Sequence, residues 1–358
     1  MASTKLGKIA KLADVARAAG VSAGTVSNVY NRPEVVSAQV QARVRAAADE
    51  LGYSADPAGR LLRGGKVNAI GVATVEPLSY FFTDPFARTL MTSITAASQA
   101  SGAGVSLISL ANKEELAWNV RNALVDGFIL LCMEGGAHEL IRSATERQLP
   151  FVALSLEEEE DETISVIAID NVASARAAAK HLAELGHRRF AIIALELSEG
   201  DSGRASLDKV ETSADSTSRD RVHGYFDALR EHGIDTLTIP IFATQDGERT
   251  IHAALQEMFA QATPPTAILA QSDRIALVAL DWLRDHGIAV PRDVSIVGCD
   301  GVPESATSTP PLTTVAQPIA EIGRLAVKAI LGYDGTVSRQ VLDVSLIVRG
   351  STAPPPKD

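Results

Sequence analysis

The spacing of hydrophobic residues divides the chain into two parts. From Leu12 to Leu51, apolar residues recur at intervals of three and four, which predicts three short amphipathic helices. From Val67 onward, short β-branched runs alternate with amphipathic stretches, which predicts alternating strands and helices. The first part is therefore predicted to be an all-α head, and the second a doubly wound α/β fold on parallel sheets.

A tight turn joins the first two predicted helices. Gly20 is expected to end the first helix, because glycine adopts a positive φ at low cost. Ser22 is placed to cap the second helix, over residues 23–30, and Ser37 to cap the third, over 38–51. Two helices joined by a short glycine-containing turn predict a helix-turn-helix unit, whose second helix enters the DNA major groove.

The alternating part is long enough for two α/β lobes of similar size. Lobe 1 is predicted at about 67–169 and 317–340, and lobe 2 at about 170–316 and 341–354. The chain would then cross between the lobes three times, a geometry suited to hinge closure around a ligand. The closing run Leu342–Val348 is expected to be one strand of lobe 2.

Two polar segments look inserted into this part. Glu157–Glu162 is an acidic run, which predicts a solvated loop. Ser198–Asp220 is rich in Ser, Asp, Glu, Gly and Thr and poor in apolar residues, which predicts a mobile surface loop.

Charge is distributed unevenly between the two parts. The net charge is −11, yet residues 1–66 carry +5 and the remainder −16. A basic head on an acidic body is typical of a domain that contacts phosphate while the body avoids it.

Composition and cysteine content indicate a protein of the cytoplasm. The chain is 46 % hydrophobic and 22 % charged, which is ordinary for a soluble globular protein. No apolar run follows Met1 or approaches the length of a membrane span, so neither secretion nor a membrane partner is expected. Cys132 and Cys299 are far apart, and we expect two reduced core thiols.

Motifs of catalysis are absent or misleading. Gly20–Gly24 contains the G-x-S-x-G string of serine hydrolases, but a helix precedes it where that motif requires a strand. Gly102 begins an incomplete dinucleotide fingerprint. No Walker loop, HExxH motif or paired metal-ligand cluster occurs. We therefore expect no enzymatic activity, no cofactor and no bound metal.

Residues 14–33, DVARAAGVSAGTVSNVYNRP, and ELGY at 50–53 closely resemble the DNA-binding head of the lactose-repressor family of bacterial transcriptional regulators. Later segments resemble the periplasmic-binding-protein-like effector domain of that family: AAAKHLAELGHRRFAII, RVHGYFDAL, VPRDVSIVGCD and PPLTTVAQPIAEIGRLA. The resemblance implies a head at 1–55, a hinge helix and linker at 56–66, and an effector-binding and dimerisation domain at 67–354.

By this resemblance, the second helix reads base edges with Ala23, Gly24 and Asn28. Alanine and glycine carry no hydrogen-bonding side chain, so readout there would be apolar or through close backbone approach. Asn28 replaces the arginine common in the family. Because asparagine pairs best with adenine and arginine with guanine, the operator preference should differ. Further DNA contacts are expected from Ser22, Thr25, Ser27, Asn31 and Ser37, with local backbone bonding as the alternative for Thr25 and Ser27.

The predicted hinge helix is short. Residues 58–64 are too few for a helix that is stable alone in water, and Gly59 weakens it further. In the family this segment orders on operator DNA, where a leucine wedges into the minor groove, and Leu62 matches that leucine. The alternative is a plain linker with incidental leucines.

Effector contacts are likewise implied by the resemblance, in a cleft at the carboxyl ends of strands. Arg221 matches the family's effector-contacting arginine, and Asp273 the acid that accepts ligand hydroxyls or amines. Ser155 stands where relatives often have aspartate. For Asp84 the alternative role is a helix cap, and for Phe86 core packing. The expected set is Asp84, Phe86, Ser155, Arg221, Asp273 and Gln317.

These features together predict a sequence-specific DNA-binding repressor whose operator affinity is controlled by a sugar, polyol or nucleoside. One head has a small footprint, so a homodimer on a pseudo-palindromic operator is expected. The end APPPKD lacks a leucine heptad, which favours a dimer over a tetramer. The alternative is a solute-binding protein of a transporter, which requires a signal peptide and no helix-turn-helix.

Overall fold

The structure is a computed structural model. It describes residues 10–31, 33–53, 66–109, 120, 122–131, 142, 145–155, 164–198, 200–213, 215–245 and 247–357. Three predicted features lie outside the described residues: the hinge helix with Leu62, the acidic run Glu157–Glu162, and Cys132.

Three helices form the described part of the head, as the periodicity predicts. They are α1 (Leu12–Ala19), α2 (Ala23–Asn31) and α3 (Ala38–Glu50), with a 3₁₀ turn at Pro33–Val35. Gly20 ends α1 with φ 62°, and Ser22 caps α2 by accepting the Thr25 amide at 3.0 Å. Small and β-branched side chains make the shared core: Val15, Ala16, Ala19, Val26, Val29, Val44, Ala47 and Ala48.

The start of α3 differs from the prediction. Ser37 occupies the cap position, but its side chain makes no capping hydrogen bond, so the predicted cap is wrong. The side-chain amide of Gln41 instead donates to the carbonyls of Pro33 at 2.7 Å and Val36 at 2.9 Å. Because these carbonyls belong to the loop before α3, Gln41 fixes that loop from within the helix.

The first lobe is built on a six-stranded sheet. Its strands are β1 (Ala69–Thr74), β2 (Gly104–Ser109), β3 (Phe128–Leu131), β4 (Phe151–Ala153), β5 (Ser165–Ile169) and β12 (Arg339–Leu342). Their order is β12-β5-β4-β3-β1-β2. β1 pairs in parallel with β3, with Gly71 opposite Phe128. Among the described residues, three helices pack on this sheet: α4 (Tyr80–Thr83), α5 (Pro85–Ala100) and α12 (Ile319–Leu331).

The second lobe is built on a seven-stranded sheet. Its strands are β6 (Phe190–Ala194), β7 (Gly203–Ala205), β8 (Ile241–Ala243), β9 (Ala267–Ala270), β10 (Ser295–Asp300), β11 (Thr313–Ala316) and β13 (Ser345–Ile347). Their order is β13-β11-β10-β9-β6-β8-β7, with β13 and β7 antiparallel at the two edges.

Helices cover both faces of the second sheet, so this lobe is doubly wound. On one face lie α6 (Asn171–Glu184) and α8 (Ser216–Glu231). On the other lie α9 (Glu248–Phe259) and α10 (Asp273–Asp285). A short helix, α11 (Pro303–Thr307), follows β10. No helix among the described residues is long and apolar enough to cross a membrane.

The chain crosses between the two sheets three times, as predicted. It leaves the first sheet after β5, returns after β11, and leaves again between β12 and β13. The prediction of one closing strand is wrong, because Leu342 ends β12 in the first sheet while Ser345 begins β13 in the second. Both strands lie at sheet edges, where alternation alone does not tell which sheet receives them.

The described residues of the segment Ser198–Asp220 form regular secondary structure, so the prediction of a loop is wrong. The segment supplies the edge strand β7, a helix α7 (Leu207–Glu211) and the first turn of α8. Val210 is 1 % exposed and packs into the core of the second lobe. Several of its polar residues make caps and loop contacts: Ser206 caps α7, Asp215 caps α8, and the Ser213 hydroxyl donates to the Leu197 carbonyl at 2.8 Å.

Candidate functional site

A cavity of about 230 Å³ lies between the two lobes. Its wall includes residues at or just beyond the carboxyl ends of strands in both sheets, where ligands bind in open α/β sheets, together with residues of the adjoining helices. Five of the six predicted effector residues line it: Asp84, Phe86, Ser155, Arg221 and Gln317. Asp273 is not among the lining residues.

The first lobe contributes side chains with two roles. Asp84 lines the cavity and also caps α5, since its carboxylate accepts the Ala87 amide at 2.9 Å. Phe86 lines the cavity and also packs against the first-lobe core. Asp84 and Phe86 therefore each combine the alternative role, helix capping or core packing, with a position in the cavity wall. The buried Ser155 hydroxyl has no hydrogen-bond partner within the part of the chain that the structure describes.

The second lobe contributes Arg221 from α8. This side chain is 5 % exposed. Its Nε donates to Asn171 Oδ1 at 3.1 Å, and its guanidinium also donates to the Gln271 carbonyl. Asp215 and Asp300 are close enough to interact with it electrostatically. A buried arginine in this position is oriented by hydrogen bonds and compensated by two acids.

Asp215 is a cavity residue that the sequence reasoning did not single out. Its carboxylate caps α8 by accepting the Thr217 amide at 2.9 Å. Burial raises the pKa of Asp215, and the nearby Arg221 partly offsets that effect. The sequence signal for Asp215 was the Asp-Ser pair at the start of α8, which lies within the segment that was predicted to be a loop.

The expected effector contact by Asp273 does not fit its placement, since this carboxylate is fully buried behind the cavity wall. One carboxylate oxygen accepts the amides of Gly301 at 2.8 Å and Val302 at 2.9 Å. The other accepts the Thr314 hydroxyl at 2.5 Å. Asp273 therefore positions the loop after β10.

Asp300, at the end of β10, lines the cavity instead. It accepts the side-chain amide of Gln317 at 2.9 Å and the backbone amide of Asp273 at 3.2 Å. Its φ is 130°, a sparsely populated conformation that costs of order 1–3 kcal/mol and often marks a functional site. The acid before Gly301 at a strand end was the sequence signal that we missed.

Electrostatics at Asp300 are unusual. Burial raises the pKa of this carboxyl well above its usual range, the neighbouring Asp273 raises it further, and Arg221 opposes both. Asp84 across the cavity also disfavours the charged form. A carboxyl held in a strained backbone with a perturbed pKa is a candidate ligand-binding group.

The predicted DNA-binding side chains that the structure describes are fully or partly exposed on the head. Ala23, Gly24 and Asn28 are exposed on α2, on the side opposite Val26 and Val29, which face the head core. Of the expected phosphate contacts, Ser22 and Ser37 are exposed, whereas Thr25 and Ser27 are half-buried. The Asn31 side chain and Leu62 lie outside the described positions.

Ser22 and Thr25 make local contacts with each other. The two hydroxyl oxygens are 2.9 Å apart, and the Thr25 amide donates to the Ser22 hydroxyl. The Thr25 hydroxyl therefore makes a local contact, but with the Ser22 side chain and not with the helix backbone. Both hydroxyls keep further hydrogen-bonding capacity, since a hydroxyl has one donor and two acceptor lone pairs.

Two family descriptions match this chain. "Bacterial regulatory proteins, lacI family" matches residues 11–56, and "Periplasmic binding protein-like domain" matches residues 179–352. An HTH-type transcriptional regulator of Mycobacterium tuberculosis is 34 % identical over 357 residues, which cover 97 % of this chain and 98 % of that protein.

Solved structures agree with these matches. The lac repressor dimer bound to operator and the anti-inducer ONPF superposes with a TM-score of 0.77 at 27 % identity, covering 97 % of this chain and 100 % of that one. A LacI family regulator from Enterococcus faecium with bound ribose has a TM-score of 0.67 at 25 % identity, covering 80 % and 99 %. The chain therefore belongs to the LacI family of bacterial regulatory proteins.

Proposed function

We propose that this protein is a transcriptional repressor of the cytoplasm, without enzymatic activity or a cofactor. In this proposal, a homodimer binds a pseudo-palindromic operator, and a small ligand between the lobes controls the affinity. The observation that carries the proposal is the presence, in one chain, of an exposed recognition helix and an interlobe cavity with polar walls. A transporter's solute-binding protein would need only the cavity.

The ligand proposed for this cavity is a single sugar, polyol or nucleoside. Small-molecule sites usually enclose about 300–1,000 Å³, and a cavity of about 230 Å³ favours a compact ligand. Ribose in the Enterococcus faecium relative is of this size class. The proposed contacts are Asp84, Phe86, Ser155, Arg221 and Gln317, together with Asp300 in the role first expected of Asp273.

The proposed mechanism is a shift between two lobe arrangements. A ligand that contacts both lobes stabilises one lobe angle over the other. The lobe angle would set the spacing of the two hinge segments, residues 56–66, in the dimer. Because those segments would fold on DNA at only one spacing, ligand and operator affinities become coupled.

Operator binding by α2 is tested by selecting DNA from a random pool and measuring affinity at several salt concentrations. We expect a pseudo-palindromic consensus and a steep fall of affinity with salt. Asn28→Ala should weaken binding to the selected sequence by about 1–3 kcal/mol, with an unchanged salt dependence, because a base contact carries no counterion release.

Glu50→Gln is the matched control for this test, because Glu50 is exposed at the far end of α3. It should retain the wild-type consensus. Two results would contradict the proposal: no preferred sequence, or an Asn28→Ala variant that binds the selected DNA as tightly as the wild type does.

A further inference from the structure

A carboxylate anchors the chain where it enters the first lobe. Asp126 accepts two backbone amides there, that of Val67 at 2.6 Å on one oxygen and that of Asn68 at 2.7 Å on the other. Val67 and Asn68 directly follow the hinge segment, residues 56–66, whereas Asp126 lies almost sixty positions further along the chain. One side chain therefore holds the two residues through which the hinge segment joins the effector domain.

The geometry of this contact fixes a direction as well as a position. Hydrogen bonds to an ionised carboxylate are roughly twice as strong as those between neutral groups. Because the two donors are consecutive amides bound to different oxygens, the backbone cannot rotate at this point without breaking one of them. Asn68 has a φ of 59°, in the left-handed region that asparagine adopts more readily than most residues. The backbone therefore changes direction immediately before β1, and Asp126 stabilises that geometry.

The sheet holds Asp126 itself in place. Its backbone amide donates to the Ala69 carbonyl at 2.8 Å, and the Gly71 amide donates to the Gly127 carbonyl at 3.0 Å. These bonds extend the parallel pairing of β1 with β3 beyond the amino end of β3. Both strands are interior strands of the first sheet. The anchor is therefore built on the backbone of that sheet.

The same two strands reach the interlobe cavity at their other ends. Leu131 ends β3 and lines the cavity, and Glu76, two residues after the end of β1, lines it as well. Hydrogen-bonded backbone thus runs from the cavity wall to the anchor. Rigid secondary elements of this kind carry energetic coupling between distant sites.

Freedom at residues 67–68 would uncouple the lobes from the hinge segments. Asn68 is exposed, and Val67 and Asp126 are half-buried, so packing alone holds this stretch weakly. The proposed mechanism requires that the lobe angle set the spacing of the two hinge segments in the dimer. If residues 67–68 rotated freely, a change of lobe angle would be absorbed there and would not reach the DNA. The contact with Asp126 removes that freedom.

We propose that Asp126 is the positioning residue of the hinge: it fixes the direction in which the hinge segment leaves the first lobe, and so the spacing of operator half-sites that the dimer accepts. This inference rests on the proposed function and adds the contact through which lobe position reaches the hinge segment. Asp126 is not among the lining residues of the cavity, so it acts through Val67 and Asn68 and not through the ligand.

Operators of different spacing test this inference on the full-length protein, without any ligand. The probes are the selected operator and versions with one base pair added or removed between its half-sites, each of which moves a half-site by about 3.4 Å. The wild type should prefer the selected spacing. In Asp126→Ala, that preference should fall by about fivefold or more, the lower end of typical coupling between sites. The consensus of each half-site should be unchanged, because the head is not altered.

Two further variants keep this test specific. Asp126→Asn retains one of the two acceptor oxygens, so it should lose only part of the spacing preference, and it serves if Asp126→Ala does not fold. Asp334→Ala is the matched control, because Asp334 is an exposed first-lobe carboxylate that accepts the backbone amide of Thr336 at 3.0 Å. This control should keep the wild-type preference, since general destabilisation of the lobe does not alter the spacing that the folded dimer accepts.

Amide hydrogen exchange without DNA tests the anchor itself. The amides of Val67 and Asn68 should exchange roughly tenfold or more faster in Asp126→Ala than in the wild type, because each loses a hydrogen bond to a charged group. In Asp334→Ala, exchange at these two amides should match that of the wild type.

Three results would overturn the inference. They are a wild-type spacing preference in Asp126→Ala, or in Asp126→Asn if the alanine variant does not fold; an equal loss of preference in Asp334→Ala; and unchanged exchange at Val67 and Asn68. Each of these leaves the proposed function intact, because the wild type still binds its operator. If the wild type forms no specific operator complex, the proposed function fails, and the role of Asp126 in half-site spacing fails with it.

Discussion

Replacing Arg221 with Met is expected to abolish the ligand response and to lower the free energy of unfolding by about 3–5 kcal/mol. Methionine has a similar length but carries no charge and no donors. The substitution leaves Asp215 and Asp300 without their cation, and it leaves Asn171 Oδ1 and the Gln271 carbonyl without the arginine donor. Urea denaturation measures the stability loss, and calorimetry the loss of binding.

Arg221→Lys separates charge from geometry in the same measurements. Lysine keeps the positive charge but lacks the planar fork that holds two acceptors at once. The stability of Arg221→Lys should therefore lie between those of the wild type and Arg221→Met. If Arg221→Met does not fold, Arg221→Lys still tests the role of Arg221. Arg230→Met, on the same helix but more than half exposed, is the control and should change stability by less than about 1 kcal/mol. Equal losses of stability in Arg221→Met and Arg230→Met would contradict the assignment of Arg221 as a buried cation that compensates Asp215 and Asp300.

Asp300→Asn is expected to stabilise the protein at neutral pH while weakening ligand binding. The folded state raises the pKa of Asp300 because burial and the neighbouring Asp273 disfavour its charge; Asp84 acts in the same direction and Arg221 in the opposite one. The stability contributed by this carboxyl is therefore fully present below its unfolded pKa of about 3.9 and is lost as pH rises through its folded pKa.

Asparagine removes this loss, because it carries no charge at any of these pH values. The stability gain of Asp300→Asn should therefore appear as pH rises above about 4 and grow until pH passes the folded pKa. Chemical denaturation over a pH series measures it.

Asp293→Asn is the control of opposite sign. Its hydrogen bond with Arg292 lowers the pKa of Asp293 to about 2, so its contribution is present above the unfolded pKa and is lost as pH falls through the folded one. This variant should therefore be destabilised at neutral pH. An Asp300→Asn variant that is destabilised at neutral pH, with no dependence on pH, would contradict the account of Asp300.

Sequence patterns predict the head well because its helices are short and strongly periodic. The stripe of α1, the positive φ of Gly20 and the Ser22 cap all follow from local rules. The Ser37 cap was wrong, because the Ser37 side chain makes no capping hydrogen bond and the loop before α3 is instead fixed by the Gln41 side chain. Local rules therefore located the helix but not the contact that fixes its start.

The cleft was predicted to the level of the strand ends but not of the side chains. Asp273 follows the buried strand β9, and Asp300 ends the buried strand β10. Which of the two carboxylates lines the cavity depends on the turn after β10, where the amides of Gly301 and Val302 donate to Asp273. That turn brings together residues almost thirty positions apart, so neither periodicity nor spacing reveals it.

Segment Ser198–Asp220 shows a limit of compositional reasoning. Its polar composition predicts a loop, yet the buried Val210 and the partly buried Ala205 and Leu207 pack it against the core of the second lobe. Several of its polar residues make caps, which composition alone does not distinguish from solvated positions. Asp215 was missed for this reason, although it lines the cavity beside Arg221.

The central claim is that the interlobe cavity and the operator-binding head are energetically coupled. Fluorescence anisotropy of labelled operator DNA, with and without a saturating sugar, polyol or nucleoside that calorimetry shows to bind, tests it most directly. The account predicts a change of operator affinity of about 5–150-fold, with the same factor for ligand affinity when operator is present. It also predicts that Arg221→Lys reduces this coupling while operator affinity without ligand is retained. An operator affinity that is identical with and without saturating ligand would contradict the account.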